Sequence, residues 1–456
     1  MTDNRQKAID FSKLNYSRFV DEMKAFLAIP SISTDVERKP DILKAANFLI
    51  DELKARSFDK TAIFETGGHP VVFGEKKCGK PDAKTVLIYG HYDVQPVDPL
   101  DLWKSDPFGS EIRGDHLFAR GSSDMKGQIW ATLKAVEAIQ SAGELPVNLK
   151  CIFEGEEEVG SPNLDAWIAG HVELLACDVV LNPDTGMLAP DIPTIVYGLR
   201  GLSYFEIKVH GPAHDLHSGL YGGVVRNPAN VICELIAGMH DPDGRITLPG
   251  FYNRVIPLGD EERAQFERIP FGDKEVLEQT GSSELFGEKG YTTLERLGAR
   301  PTLDVNGIYS GFIGEGSKTV IPAWAMAKIS TRLVPDQDPV EVRDGFKKYI
   351  NDHIPSGMTW EFKEHSSNKA CLVNRNSPAV LALVKAQETV WGMPPVFKRE
   401  GGSVPVVLTM QKLLGVESVL TGFSLPDDNI HAPNEHMHMP TWKRGIECLI
   451  HFFYNL

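Results

Sequence analysis

A chain of 456 residues exceeds what one hydrophobic core usually organises, so two domains are expected. Apolar content of 42% and charged content of 24% are ordinary for a globular protein, and a net charge of -15 argues against a nucleic-acid partner, which attracts basic surfaces. No apolar stretch approaches the roughly 20 residues of a membrane span, and six cysteines without paired spacing read as buried or free thiols of a reducing compartment, the cytoplasm.

Residues 1–7 are polar and lead into no signal-peptide core. Phe19, Val20, Met23, Phe26 and Leu27 share one helical face, and Ile29-Pro30 ends that helix. Ile42, Ala45, Ala46, Leu49 and Leu53 mark a second. The run Thr85-Val86-Leu87-Ile88-Tyr89-Gly90 reads as a buried parallel strand. His91 therefore stands just beyond a carboxyl end, where open α/β sheets gather functional groups. Residues i and i+2 of a strand end share a face, so Asp93 can accept a hydrogen bond from the His91 nitrogen that binds no metal. An isolated His-x-Asp is more often a surface turn, and what lifts this one is its company.

Asp124 lies in Ala119-Arg120-Gly121-Ser122-Ser123-Asp124-Met125-Lys126-Gly127, at the entrance of a helix near 127–141. A second strand at 148–153 runs into Glu154-Gly155-Glu156-Glu157-Glu158-Val159-Gly160-Ser161, and a third at 178–182 leads to Pro183-Asp184. Strands alternating with helices indicate an α/β fold with a doubly wound, mainly parallel sheet. After Tyr197 the texture changes. Residues 202–209 and 325–332 alternate as half-exposed strands, with helical segments between them. The expected organisation is one domain in two segments, 1–199 and 371–456, with an inserted α+β domain at 200–370. The polar stretch 259–300 is taken as helices and loops of that inserted domain. Far downstream, Ile430-His431-Ala432-Pro433-Asn434-Glu435 brings another histidine at a loop. Three carboxylates and two histidines at strand or loop ends form a mixed oxygen and nitrogen ligand set suited to zinc, manganese or cobalt.

These stretches resemble the di-zinc metallopeptidase family of carnosine-type dipeptidases, aminoacylase, succinyl-diaminopimelate desuccinylase and the glutamate carboxypeptidases. Asp215-Leu216-His217-Ser218-Gly219, Lys318-Thr319-Val320-Ile321-Pro322, Arg332-Leu333-Val334-Pro335 and Glu400-Gly401-Gly402-Ser403-Val404-Pro405 are similar to the carnosinase-type branch. The resemblance implies two divalent ions per subunit, Zn2+ first, with Mn2+ or Co2+ as alternatives. Asp124 would bridge them, with His91 and Asp184 completing one site and Glu158 and His431 the other. It also implies a cis peptide between Asp124 and Met125. Glu157 would be the general base, taking a proton from a bridging water and passing it to the leaving amine. The two outer segments would form the catalytic domain and the inserted α+β domain a lid and dimerisation domain, so that His217 would reach the partner subunit's site in a homodimer joined through the lid and stabilise the oxyanion. Arg332, Ser403 and Thr319 would hold the terminal carboxylate of a dipeptide. His436 and His438, which follow the His431 loop, are read as surface residues or neighbours of the ligands. The resulting expectation is a dipeptidase. Its alternatives are an N-acyl-amino-acid amidohydrolase on the same scaffold and a catalytically silent, metal-stabilised dimeric interaction protein.

Overall fold

The computed structural model describes residues 2–402 and 405–456. The chain divides into two compact units, one formed by Met1–Tyr197, Val373–Lys398 and Val406–Leu456, the other by Gly198–Leu372 with Arg399–Pro405. The short stretch beginning at Arg399 thus groups with the inserted unit, although it lies inside the closing segment expected from the sequence. Arg200 Nε donates to Gly401 O at 3.1 Å within that unit.

The first unit is α/β. Its sheet runs in the order Lys60–Phe64, Val71–Lys76, Asn148–Glu154, Thr85–His91, Val179–Asn182, Ser418–Leu420, Thr194–Leu199. The strands from Asn148–Glu154 to Ser418–Leu420 are mutually parallel, and antiparallel strands flank them on both sides. The parallel strands are almost wholly buried, which explains why they read as continuous apolar runs. Helix Lys126–Ala142 lies against Thr85–His91 and is covered in turn by Thr2–Leu27 and Met439–Asn455. Being enclosed on two sides, it buries Ile129, Trp130, Leu133, Val136 and Ile139 together with the polar Gln128 and Thr132. Lys39–Ala55 starts with a proline in its first turn and buries the apolar stripe Ile42, Ala45, Ala46, Leu49, Leu53.

The second unit is built on an antiparallel sheet ordered Thr302–Ser310, Trp324–Leu333, Gly201–His210, Thr359–Asn368. Burial alternates residue by residue along Gly201–His210 and Trp324–Leu333, so one sheet face forms the core. That face packs Phe205, Ile207, Ala327 and Ile329 against Val231 and Leu235 of helix Pro228–Ala237 and Phe346 and Ile350 of helix Pro339–His353. Asn227 and Asp338 cap those helices by accepting main-chain N–H bonds. The stretch 259–300 holds the short helices Asp260–Glu267, Asp273–Thr280 and Thr293–Gly298. Among the described residues no helix is long and apolar enough to cross a membrane. All six cysteines are free, and Cys78, Cys151, Cys371 and Cys448 are buried.

Candidate metal centre

The register of the parallel strands delivers the site. His91 pairs with Glu154 at the carboxyl ends of their strands, and Asn182 pairs with Leu420 at the ends of theirs. The loops that follow carry Asp93, the Glu157-Glu158 pair and Asp184. Asn182 Oδ1 accepts the Asp184 N–H at 2.9 Å and so shapes that turn. Asp124 enters from the segment before helix Lys126–Ala142, and its peptide bond to Met125 is cis. This segment tucks tightly under the helix: a Cβ on Gly127 would fall 2.0 Å from Ser122 O, which no larger residue tolerates. His431 stands on a loop where Asn429, His431 and Asn434 all take positive φ of 55°, 62° and 64°.

Two triads of donor atoms result, and they share Asp124. His91, Asp124 and Asp184 form one, and Asp124, Glu158 and His431 the other; within each, the donor atoms lie within 4.8 Å of one another. Asp124 Oδ1 is 3.0 Å from His91 Nε2, which is also 3.9 Å from Asp184 Oδ1. Asp124 Oδ2 is 3.0 Å from His431 Nε2, itself 3.2 Å from Glu158 Oε2. The two oxygens of one carboxylate therefore serve different imidazoles.

The electrostatics of the cluster call for cations. Burial and the neighbouring Asp124, Glu157 and Glu158 carboxylates push Asp184 well above the usual carboxylate range, against the pull of His91. Hydrogen bonds to Asp124 and Glu158 raise His431 to about 10, against burial. Burial would lower the His91 imidazole, yet the bonds to Asp124 and Asp93 carry it well above its ordinary value. Carboxylates this crowded with imidazole nitrogens make a hard-to-borderline donor set that suits divalent ions.

Glu157 and Glu158 open a short 3-10 turn, Glu157–Val159. Glu158 turns into the second triad, where Gln95 Nε2 donates to its Oε2 at 2.8 Å. Glu157 stays outside both triads. Its carboxyl is pushed up to about 8, first by burial and then by Asp124, Glu158 and Asp93, with His91 opposing. Asp93 acts on two fronts. Its carboxylate accepts the N–H groups of Glu157 at 3.3 Å and Glu158 at 3.1 Å. His91 Nδ1 lies 3.1 Å from the Asp93 main-chain oxygen and 3.4 Å from Oδ1, so the carbonyl is the nearer partner of the ring. The other two glutamates of the run are held elsewhere. Glu154 accepts from Tyr89 Oη and Ser161 Oγ, and Glu156 accepts from Asn163 Nδ2 through both oxygens.

Sequence reading passed over Glu435, although it stands in the same stretch as His431. It is fully buried and accepts four hydrogen bonds, from Arg120 Nη1 at 2.8 Å and the N–H groups of Gly121, Ser123 and Asp124 at 3.0–3.1 Å. Asp428 adds a second tie by accepting from Ser123 Oγ and the Leu425 N–H. The loop of Asp124 is thereby fastened to the loop of His431.

His217 lies in the other unit, on the strand Leu216–His217 paired with Val320–Ile321. Its Nδ1 accepts the Gly219 N–H at 2.9 Å, which leaves the ring proton on Nε2. Thr319 is exposed beside it, its carbonyl accepting the Ser218 N–H. Arg332 is half-buried on Trp324–Leu333, on the sheet face opposite the core. Ser403 lies outside the described residues. His436 Nδ1 bonds Asn434 O, and His438 bonds Thr441 at the start of the last helix; neither belongs to a triad.

The model of peptidase family M20/M25/M40 matches residues 87–455. The chain is 35% identical to the Cys-Gly metallodipeptidase DUG1 of Candida albicans, over 96% of this chain and 94% of that one. It is 30% identical to the Beta-Ala-His dipeptidase of Homo sapiens, over 99% and 92%. The solved structure of the di-peptidase Dug1p from Saccharomyces cerevisiae superposes with a TM-score of 0.88 at 28% identity, covering 100% of this chain and 99% of that one. Family match, fold and donor set agree: the chain belongs to peptidase family M20/M25/M40, as a metallo-hydrolase that fits its carnosinase-like dipeptidase branch.

Proposed function

We propose that the protein is a metal-dependent dipeptidase that hydrolyses the peptide bond of dipeptides bearing a free carboxylate. His91, Asp124 and Asp184 would hold one divalent ion and Asp124, Glu158 and His431 a second. The carrying observation is the double engagement of Asp124, whose two oxygens each lie 3.0 Å from a different imidazole nitrogen. Zinc fits this oxygen and nitrogen set first, and manganese or cobalt fits it next. When bound, such ions lower the pKa of water and polarise a carbonyl oxygen.

The chain's own residues do the rest. Glu157 takes a proton from the attacking water and gives it to the leaving amine, a shuttle that works best with a pKa near the working pH. Asp93 holds the Glu157-Glu158 turn by its main-chain N–H groups and keeps the His91 ring in place. His217, supplied across a two-fold interface, donates a hydrogen bond from its Nε2–H to the carbonyl oxygen as charge develops there. Arg332, Thr319 and Ser403 receive the terminal carboxylate, for which a guanidinium offers a planar fork.

A homodimer through the lid is supported by the lid sheet itself. Thr302–Ser310 is an edge strand with Ile308 53% exposed, and Ile313 in the following loop is 73% exposed. An apolar sheet edge of this kind is a template for a second chain. The six free cysteines support a reducing compartment, the cytoplasm. The test is hydrolysis of a dipeptide panel beside N-acetyl and N-succinyl amino acids after reconstitution with zinc, manganese or cobalt. Turnover of dipeptides is expected. Turnover of the N-acyl amino acids in their place supports the amidohydrolase, and metal uptake without any hydrolysis supports the silent interaction protein.

A further inference from the structure

The loop that carries Glu157 and Glu158 is closed by a side chain that the proposed mechanism leaves unused. Glu154 ends the strand Asn148–Glu154, and Ser161 follows the 3-10 turn Glu157–Val159, so the two bracket the glutamate pair. Glu154 Oε1 accepts from Ser161 Oγ at 3.0 Å and from Tyr89 Oη at 2.7 Å. Tyr89 belongs to Thr85–His91, the neighbouring parallel strand that ends at His91. Glu154 is 2% exposed and Tyr89 0%, so bulk water does not compete for these bonds. One buried oxygen thereby joins the far end of the loop to the strand of His91.

Ser161 holds an unusual backbone while making its bond. Its φ is 50°, in the left-handed region that suits glycine and that serine seldom enters. Its main chain bonds Glu156 O through N–H at 2.8 Å and accepts the Leu164 N–H at 3.2 Å, which a glycine would do equally well. What the serine adds is the hydroxyl, and the hydroxyl goes to Glu154.

The two glutamates between these ends are held unequally. Gln95 Nε2 donates to Glu158 Oε2 at 2.8 Å, and Glu158 shares a triad with Asp124 and His431. Among the described residues no donor bonds the Glu157 carboxyl, so its place is set by its main chain. The Glu157 N–H meets the Asp93 carboxylate only at 3.3 Å, a long bond. We propose that Tyr89, Glu154 and Ser161 are positioning residues: through one buried oxygen they hold the turn so that Glu157 stands where the attacking water gives up its proton. The proposal rests on the reading of Glu157 as the base of a dipeptidase.

Ser161→Gly separates this role from a merely structural one. Glycine takes the left-handed backbone freely, so the relief of strain offsets the lost bond, and Tm should stay within about 3 °C of the wild type. The assay uses the zinc-reconstituted full chain and the dipeptide of the panel that the wild type turns over fastest. There kcat is expected to fall about ten- to a hundredfold, the cost of a misplaced reacting group, with KM within about twofold and both zinc ions retained. Tyr89→Phe keeps the buried ring, removes the other bond to the same oxygen, and should lower kcat as well. Because both act through Glu154, the double variant should lose less than the product of the two single losses. A wild-type kcat in Ser161→Gly overturns the proposal, as does a fall that comes with loss of zinc, since the closure would then serve Glu158. Fully multiplicative losses in the double variant overturn the link through Glu154. A wild type that hydrolyses no dipeptide of the panel defeats the dipeptidase reading first, whereas equal turnover by wild type and Ser161→Gly defeats the positioning claim alone.

Discussion

Asp124 and Glu157 divide the work in a way that metal analysis can separate. Asp124 belongs to both triads and Glu157 to neither. Asp124→Ala should therefore lose metal at both sites, whereas Glu157→Gln should keep two ions per chain and lose turnover by roughly 10²–10⁴-fold, the usual yield of a positioned base. Elemental analysis after dialysis decides between them, and a metal-free Glu157→Gln protein contradicts the base assignment. At this scale much of the site was legible. Each proposed ligand follows an apolar strand or stands in a Gly-, Pro- or Asn-marked loop, so type and place coincide. The division of labour in Asp93 was not legible. Sequence spacing sets His91 and Asp93 on one face, but it does not reveal that the Asp93 carboxylate caps the Glu157-Glu158 turn, which lies more than sixty residues away.

The element that ties the site together is a pair of loops joined by Arg120 and Glu435. Both side chains are buried, at 1% and 0% exposure, so neither can turn to water when its partner is removed. Glu435→Ala should cost about 3–5 kcal/mol of stability, the loss seen when one member of a buried ion pair is deleted. It should also weaken metal binding, because the loops of Asp124 and His431 would come apart. Denaturant unfolding and metal titration measure the two effects, and a variant with wild-type stability contradicts the account. The strand His436–His438 continues from that loop and pairs with His116–Phe118. His116 faces His436 and His438 with ring centroids 4.9 and 5.1 Å away, and Asp115 and Asp427 are its acidic neighbours. Burial, then the two histidines, holds the His116 pKa below 6.5. The unfolded chain thus takes up this proton first, and stability falls as pH drops below about 6.5. His116→Gln should make Tm fall less steeply between about pH 6.5 and 5; an unchanged slope contradicts this. Element recognition from sequence tracked the apolar continuity of the run more than its burial. The buried strands Thr85–His91, Asn148–Glu154 and Val179–Asn182 were found, whereas the equally buried Thr194–Leu199 and Ser418–Leu420 were not, and Thr359–Asn368, with Glu361, Lys363, Glu364 and Ser367 exposed, gave too little apolar pattern to register.

For the whole molecule, the period of apolar residues changes near Tyr197, from buried runs to strict alternation, and that change is legible in the sequence. The grouping of the Arg399 stretch with Gly198–Leu372 is not, since it depends on long-range contacts such as that of Arg200 with Gly401. If His217 serves the partner's site, each active site needs two chains. His217→Ala and Glu157→Ala homodimers should both be inactive, yet equal amounts allowed to exchange subunits should regain about a quarter of wild-type activity. Half of the dimers are then mixed, each with one intact site. A mixture that stays inactive after verified exchange assigns His217 to its own chain or to no catalytic role. The central claim, a dipeptidase dependent on a pair of ions, is tested most directly by stripping the protein with a chelator and titrating zinc while following hydrolysis of a dipeptide. The account predicts no turnover in the stripped protein and a rise that levels off at two equivalents per chain; turnover without metal, or full activity at one equivalent, would contradict it.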